Sequence, residues 1–157
     1  MLKSTPPQRM PKGRIKKYLS YREAWSRIKA AEDNGYYFEA VTLEESIICD
    51  RLISYLISSR VIDRPVAGNN YPSFGRLIEL WKQYTGMPIS EGRVGNLQES
   101  VDEWRKLRNN VVHGMVKSYP DTEPDDITSF IEEAERVAEE GKKLARAVSE
   151  WRKKVKK

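Results

Sequence analysis

Between Tyr37 and Arg60 the apolar residues Phe38, Val41, Ile48, Cys49, Leu52, Tyr55 and Leu56 lie mostly three and four positions apart. Leu43, Ile47, Ile53 and Ile57 widen that stripe until it nearly encircles the helix it implies. Such a helix is stable in water only where other elements cover most of its circumference, so the fold must be built around it. The rest of the chain supplies partners of the same kind. Ser20 opens a first helix to about Asp33, with Trp25 and Ile28 inward and Asn34-Gly35 as its stop. Ser73 opens a third, with Phe74, Leu77, Ile78 and Trp81 on one side, and Asn96 caps a fourth that ends near His113-Gly114. A last helix from about Asp125 to Val155 is acidic in its first turns and basic in its last, as the helix macrodipole favours. No stretch alternates with period two for long enough to form a strand. The expectation is an all-α, up-and-down helical bundle of four to five helices with a central antiparallel pair.

At 157 residues the chain is long enough for one domain with one core. Its net charge of +5 is unevenly divided: residues 1–19 carry six basic and no acidic groups, residues 141–157 carry eight basic groups and Glu150, and the 121 residues between them sum to −8. This suggests a basic mobile N-terminal arm (1–19), a helical bundle (20–150) and a basic C-terminal tail (151–157). Basic ends either contact a polyanion such as nucleic acid or serve as solvated ends. The longest apolar runs are a few residues, and the first residues lack the apolar stretch of a secretory signal, so no membrane partner is expected. The single cysteine, Cys49, cannot form an internal disulfide and suits a reducing cytoplasm. One histidine and one cysteine make no metal-ligand pattern, and "GRVG" at 92–95 is too short for a phosphate loop, so no cofactor is expected.

The fourth helix contains an anomaly. Leu97, Val101, Trp104, position 108, Val111 and Met115 form a seam with spacings of four and three, and position 108 is an arginine. A guanidinium stays charged at any ordinary pH and needs a partner or a wet cleft there. Either it snorkels, or it meets a carboxylate of the long helix (Glu44, Glu45 and Asp50 are candidates). The only histidine, His113, follows five residues later. Five residues turn a helix by about 500° and advance it ~7.5 Å, so Arg108 and His113 point ~140° apart. Asn109 lies one turn before His113 on the same face. A cation, an amide and a group that titrates near neutrality are the parts needed to bind a phosphodiester and move its protons.

The segment "LRNNVVHG" at 107–114 resembles the R-x(4–6)-H signature of the HEPN superfamily, small all-α domains in which a polar residue commonly follows the arginine. The helical organisation of residues 20–150 is similar to that family's, so the resemblance covers most of the chain. It implies a metal-independent endoribonuclease acting as a homodimer, of the kind found in toxin–antitoxin and phage-defence systems, with RNA as substrate and a possible antitoxin or other regulatory protein as partner. Two copies of the motif would meet across a two-fold axis and form one composite site. His113 would serve as general acid or base, Arg108 would stabilise the phosphorane-like charge, and Asn109 would orient the phosphate or the histidine. The product would carry a 2′,3′-cyclic phosphate. Arg105 and Lys117 are candidate RNA contacts, and Asp50 and Glu45 both qualify as the acidic residue that often faces the arginine.

The chain departs from the family pattern at Met115, where partners of nucleotidyltransferase antitoxins often carry a tyrosine; the nearest tyrosine is Tyr119. That puts regulation by such a modification in doubt. Two alternatives remain: a non-catalytic HEPN module that binds RNA or nucleotides, and a helical protein-interaction domain in which the spacing is coincidental.

Overall fold

The computed structural model describes residues 12–64, 71–116 and 125–155. They form five helices: α1 (Lys12–Asp33), α2 (Tyr37–Ser58), α3 (Phe74–Thr85), α4 (Leu97–Val116) and α5 (Asp125–Lys154). Among the described residues there is no strand, only an isolated bridge between Glu91 and Val94. The fold is an all-α bundle, and no described helix is long and apolar enough to cross a membrane.

Local chemistry sets most of the boundaries. Ser73 Oγ accepts from the Arg76 amide at 3.3 Å and starts α3, which Gly86 closes in the left-handed region at φ 65°. Asn96 Oδ1 accepts from the Glu99 amide at 3.2 Å and starts α4. Helix α1 begins at Lys12, well before the expected Ser20. Its extra turns are tied to α2, since Asp50 accepts from the Tyr21 hydroxyl and pairs with Lys17 at 3.2 Å. Residues 12–19 of the expected arm are therefore helical, and residues 1–11 lie outside the described residues. The expected C-terminal tail is likewise helical through Lys154, with Trp151 only 5% exposed.

Side-chain contacts fix the helix directions. Phe38 stacks on Phe130 with centroids 5.6 Å apart, while Tyr55 meets Trp151 edge-on at 4.7 Å. The starts of α2 and α5 thus meet, as do their ends, so these two helices run parallel. The antiparallel neighbours are α1 with α2, α3 with α4, and α4 with α5. Trp104 of α4 donates to the Val137 carbonyl at 2.8 Å, and Gly114 further along α4 lies against Phe130 near the start of α5. Lys82 near the end of α3 bonds Glu99 and Asp102 near the start of α4, both at 3.0 Å.

Ile28, Ile48, Leu52, Trp81, Trp104 and Leu144 are at most 1% exposed and form the centre of the core. Truncating either buried tryptophan would cost about 3–5 kcal/mol. One charged-type residue shares that interior. Glu44 is fully buried, and neither of its carboxyl oxygens finds a hydrogen-bond partner among the described residues. Burial pushes its pKa up to about 9, with Glu32 raising it further and Lys142 opposing, so the carboxyl is protonated at neutral pH.

Candidate functional site on helix α4

The apolar members of the α4 seam face the chain's own core: Leu97 and Val101 are fully buried, Trp104 is 1% exposed and Val111 3%. Arg108, in the same stripe, is half-buried and ion-paired with Glu45 of α2. It also donates to Asn109 Oδ1 at 2.8 Å. Its Nε has no partner among the described residues, and burial lowers its pKa from the ordinary value. Of the two acidic candidates, Glu45 is the one beside Arg108. Asp50 faces α1 instead, held by Tyr21 and Lys17. Arg108 thus needs no second subunit for charge compensation.

His113 is exposed, in the last turn of α4. The expected helix end at His113-Gly114 is not observed, since α4 continues to Val116. Gly114 does not take the left-handed conformation of a glycine cap. A Cβ there would lie 3.4 Å from the Phe130 ring, at the edge of ordinary contact. The helix therefore does not bend His113 toward Arg108. Asn109 accepts from Arg108 and sits one turn before His113 on the same face. The triplet is an ordered row from an interior cation through an amide to a surface imidazole.

Arg105 is turned toward α3. Its guanidinium bonds Asp102 at 3.1 and 3.2 Å and lies 3.5 Å from where a Cβ on Gly75 would stand. Burial opposes ionisation of Asp102, but hydrogen bonds from Lys82 and Arg105 prevail and hold its carboxyl below the ordinary range. Lys117 and Tyr119 lie outside the described residues, as does the Met115 side chain. Exposed apolar groups stand near the motif: Leu107 at 46% and Val112 at 37% on α4, and Ile131 at 49% beside the Phe130 that packs on Gly114.

The thiol of Cys49 is pushed up to about 12 by burial and by the nearby Asp50 charge, so it is no nucleophile at neutral pH. Among the described residues, no cluster of three or more His, Cys, Asp or Glu side chains could hold a metal ion. A cleft of about 1300 Å³ lies away from α4, along α1 and α5. Sequence reasoning missed it because residues 12–19 read as an arm; the three- and four-residue spacing of Tyr18, Tyr21 and Trp25 was the available signal. No protein-family model matches the chain, and neither a curated protein nor a solved structure was found to match it.

Proposed function

We propose that the chain is a metal-independent endoribonuclease of HEPN type, acting as a homodimer with Arg108, Asn109 and His113 at a composite site. The observation that carries this reading is the hydrogen-bonded Arg108–Asn109 pair, one turn before a solvent-exposed His113. Glu45 and Asn109 hold the guanidinium in place, while the imidazole is open to solvent. Exposed Leu107, Val112 and Ile131 supply apolar surface for a second copy to cover.

Across a two-fold axis, one His113 removes the proton from the ribose 2′-hydroxyl as its oxygen attacks phosphorus. The partner copy's imidazole, in its protonated form, gives a proton to the departing 5′-oxygen as the P–O5′ bond breaks. Arg108 stabilises the charge on the non-bridging oxygens. The products are a 2′,3′-cyclic phosphate and a free 5′-hydroxyl, and DNA is inert for want of the 2′-hydroxyl. A cytoplasmic toxin or phage-defence role, with a regulatory partner protein, belongs to this reading.

A second reading is favoured by the Arg108–Glu45 pair lying within one chain. An arginine neutralised by its own bundle also suits a non-catalytic RNA-binding module or a helical interaction domain. Cleavage of a mixed-sequence RNA in EDTA, with native protein and His113→Ala, separates them. Cyclic-phosphate ends from the native protein alone support the ribonuclease, whereas intact RNA with both folded proteins gives the second reading the lead.

A further inference from the structure

Along α1 and the second half of α5 runs a cleft of about 1300 Å³. Seven basic side chains and three acidic ones line it, an excess of four positive charges. This sits against a chain whose residues 20–140 sum to −8. The basic groups fall into two sets. Lys17, Lys142 and Lys153 are each paired with a carboxylate, at 3.2, 2.9 and 3.2 Å. Arg22, Lys29, Arg51 and Arg146 have no carboxylate within ion-pair reach among the described residues.

Two of these arginines are combined with aromatic rings. The Arg51 guanidinium lies 4.0 Å from the centroid of Tyr21, and that of Arg146 lies 5.6 Å from the centroid of Trp25. The lining also includes Ser149, 7% exposed, whose hydroxyl finds no partner among the described residues, and the same holds for Arg51 Nε. From Lys17 to Asp33 the lining of α1 spans seventeen residues, or ~24 Å of helix.

We propose that this groove binds a single-stranded polynucleotide, with phosphates on Arg22, Lys29 and Arg146 and unpaired bases stacked against Trp25, Tyr21 and their covering guanidiniums. Unpaired cations in a concave track supply the backbone attraction, and aromatic faces supply sequence-tolerant stacking. A duplex keeps its bases from those rings. A flat anionic bilayer meets the three carboxylates of the cleft and makes no use of its depth. The groove adds a strand-binding track to the ribonuclease reading but does not rest on it, because it concerns binding and lies apart from His113.

The test is fluorescence anisotropy with the full chain in EDTA and labelled oligouridylate of roughly 12 nucleotides. Its riboses are 2′-O-methylated so that no cleavage through the 2′-hydroxyl occurs. Arg22→Ala, Lys29→Ala and Arg146→Ala combined, checked for an unchanged circular dichroism spectrum and Tm, should weaken binding about tenfold or more and flatten its salt dependence by about two to three counterions. A control removing Arg76, Lys106 and Arg136, exposed cations outside the groove, should weaken it less than about twofold. Equal weakening by both triples overturns the site, as does equal affinity for a duplex of the same length. Tighter, groove-dependent binding to phosphatidylserine vesicles than to the oligonucleotide replaces the polynucleotide with a membrane. Similar affinity for oligodeoxythymidylate supports backbone-and-stacking recognition, and a preference for the ribo-strand assigns the source as RNA. If His113→Ala cuts no less RNA than the native protein while groove-dependent binding persists, the nuclease reading fails and this one stands.

Discussion

Arg108 of α4 and Glu45 of α2 form an ion pair inside one chain, at the edge of a stripe whose other described members are apolar and buried. Each side chain is about one-fifth exposed (22% and 20%), so neither charge is fully solvated without the other. Glu45→Ala leaves the guanidinium with Asn109 as its remaining partner and should destabilise the fold by about 1–3 kcal/mol in urea unfolding. Adding Arg108→Met should cost less in the Glu45→Ala background than in the native one, by about 0.5 kcal/mol or more. Strictly additive effects would show the two side chains to be independent.

Two glycines in helices should respond oppositely to alanine. A Cβ on Gly141 of α5 would stand 2.5 Å from Glu44 Oε1 and 2.5 Å from Trp104 Cζ2, inside the closest-packed part of the core. Overpacking there costs about 1–3 kcal/mol, more than the ~1 kcal/mol of helix propensity gained. Gly75 of α3 meets only the Arg105 guanidinium, at 3.5 Å, which is ordinary contact. Gly141→Ala should lower Tm and Gly75→Ala should raise it by the equivalent of about 0.5–1 kcal/mol. A stable Gly141→Ala protein would mean that Trp104 has room to move.

His113 is exposed, so its removal tests chemistry apart from folding. His113→Ala should leave the urea midpoint within about 0.5 kcal/mol of native, as surface substitutions do. Under the ribonuclease reading it lowers the rate of RNA cleavage by about 10²–10⁴-fold, the usual contribution of a positioned acid or base. Unchanged cleavage by the purified mutant removes His113 from the chemistry.

The sequence exposes what local spacing and capping determine. Ser73 and Asn96 announce the starts of α3 and α4 because their side chains bond amides three residues on, a contact encoded within one turn. The parallel course of α2 and α5 was not legible, because it depends on which distant rings meet: Phe38 with Phe130 and Tyr55 with Trp151. At the candidate site, the row Arg108–Asn109–His113 is local and readable. The choice of Glu45 over Asp50 is not, since it depends on how α4 docks on α2. Gly114 misled because a glycine after a histidine reads as a stop, whereas α4 runs through it to Val116. Glu44 shows the limit most clearly. Nothing in its neighbours along the chain distinguishes it from Glu45, yet one is buried uncharged and the other is partly exposed and ion-paired.

That buried carboxyl gives the protein a specific dependence on pH. Glu44 has an ordinary value of 4.5, and burial pushes it up to about 9 in the folded chain, with Glu32 adding to the rise and Lys142 opposing it. Below the ordinary value both folded and unfolded chains hold the proton, and the stabilisation is fully present. Between the two values the folded chain keeps a proton that the unfolded chain releases. Stability then falls as pH rises, by as much as ~1.4 kcal/mol per pH unit from this one group. Above about 9 both states are ionised and this loss stops. Glu44→Gln has no proton to lose, so its urea midpoint should fall less steeply across the neutral and alkaline range. The other titrating groups are common to both proteins and cancel in the difference between their midpoints. That difference should therefore move in favour of Glu44→Gln as pH rises from about 6 to 9. A difference that stays constant over this range means that Glu44 ionises in place, and that water or a movement of Lys142 reaches it.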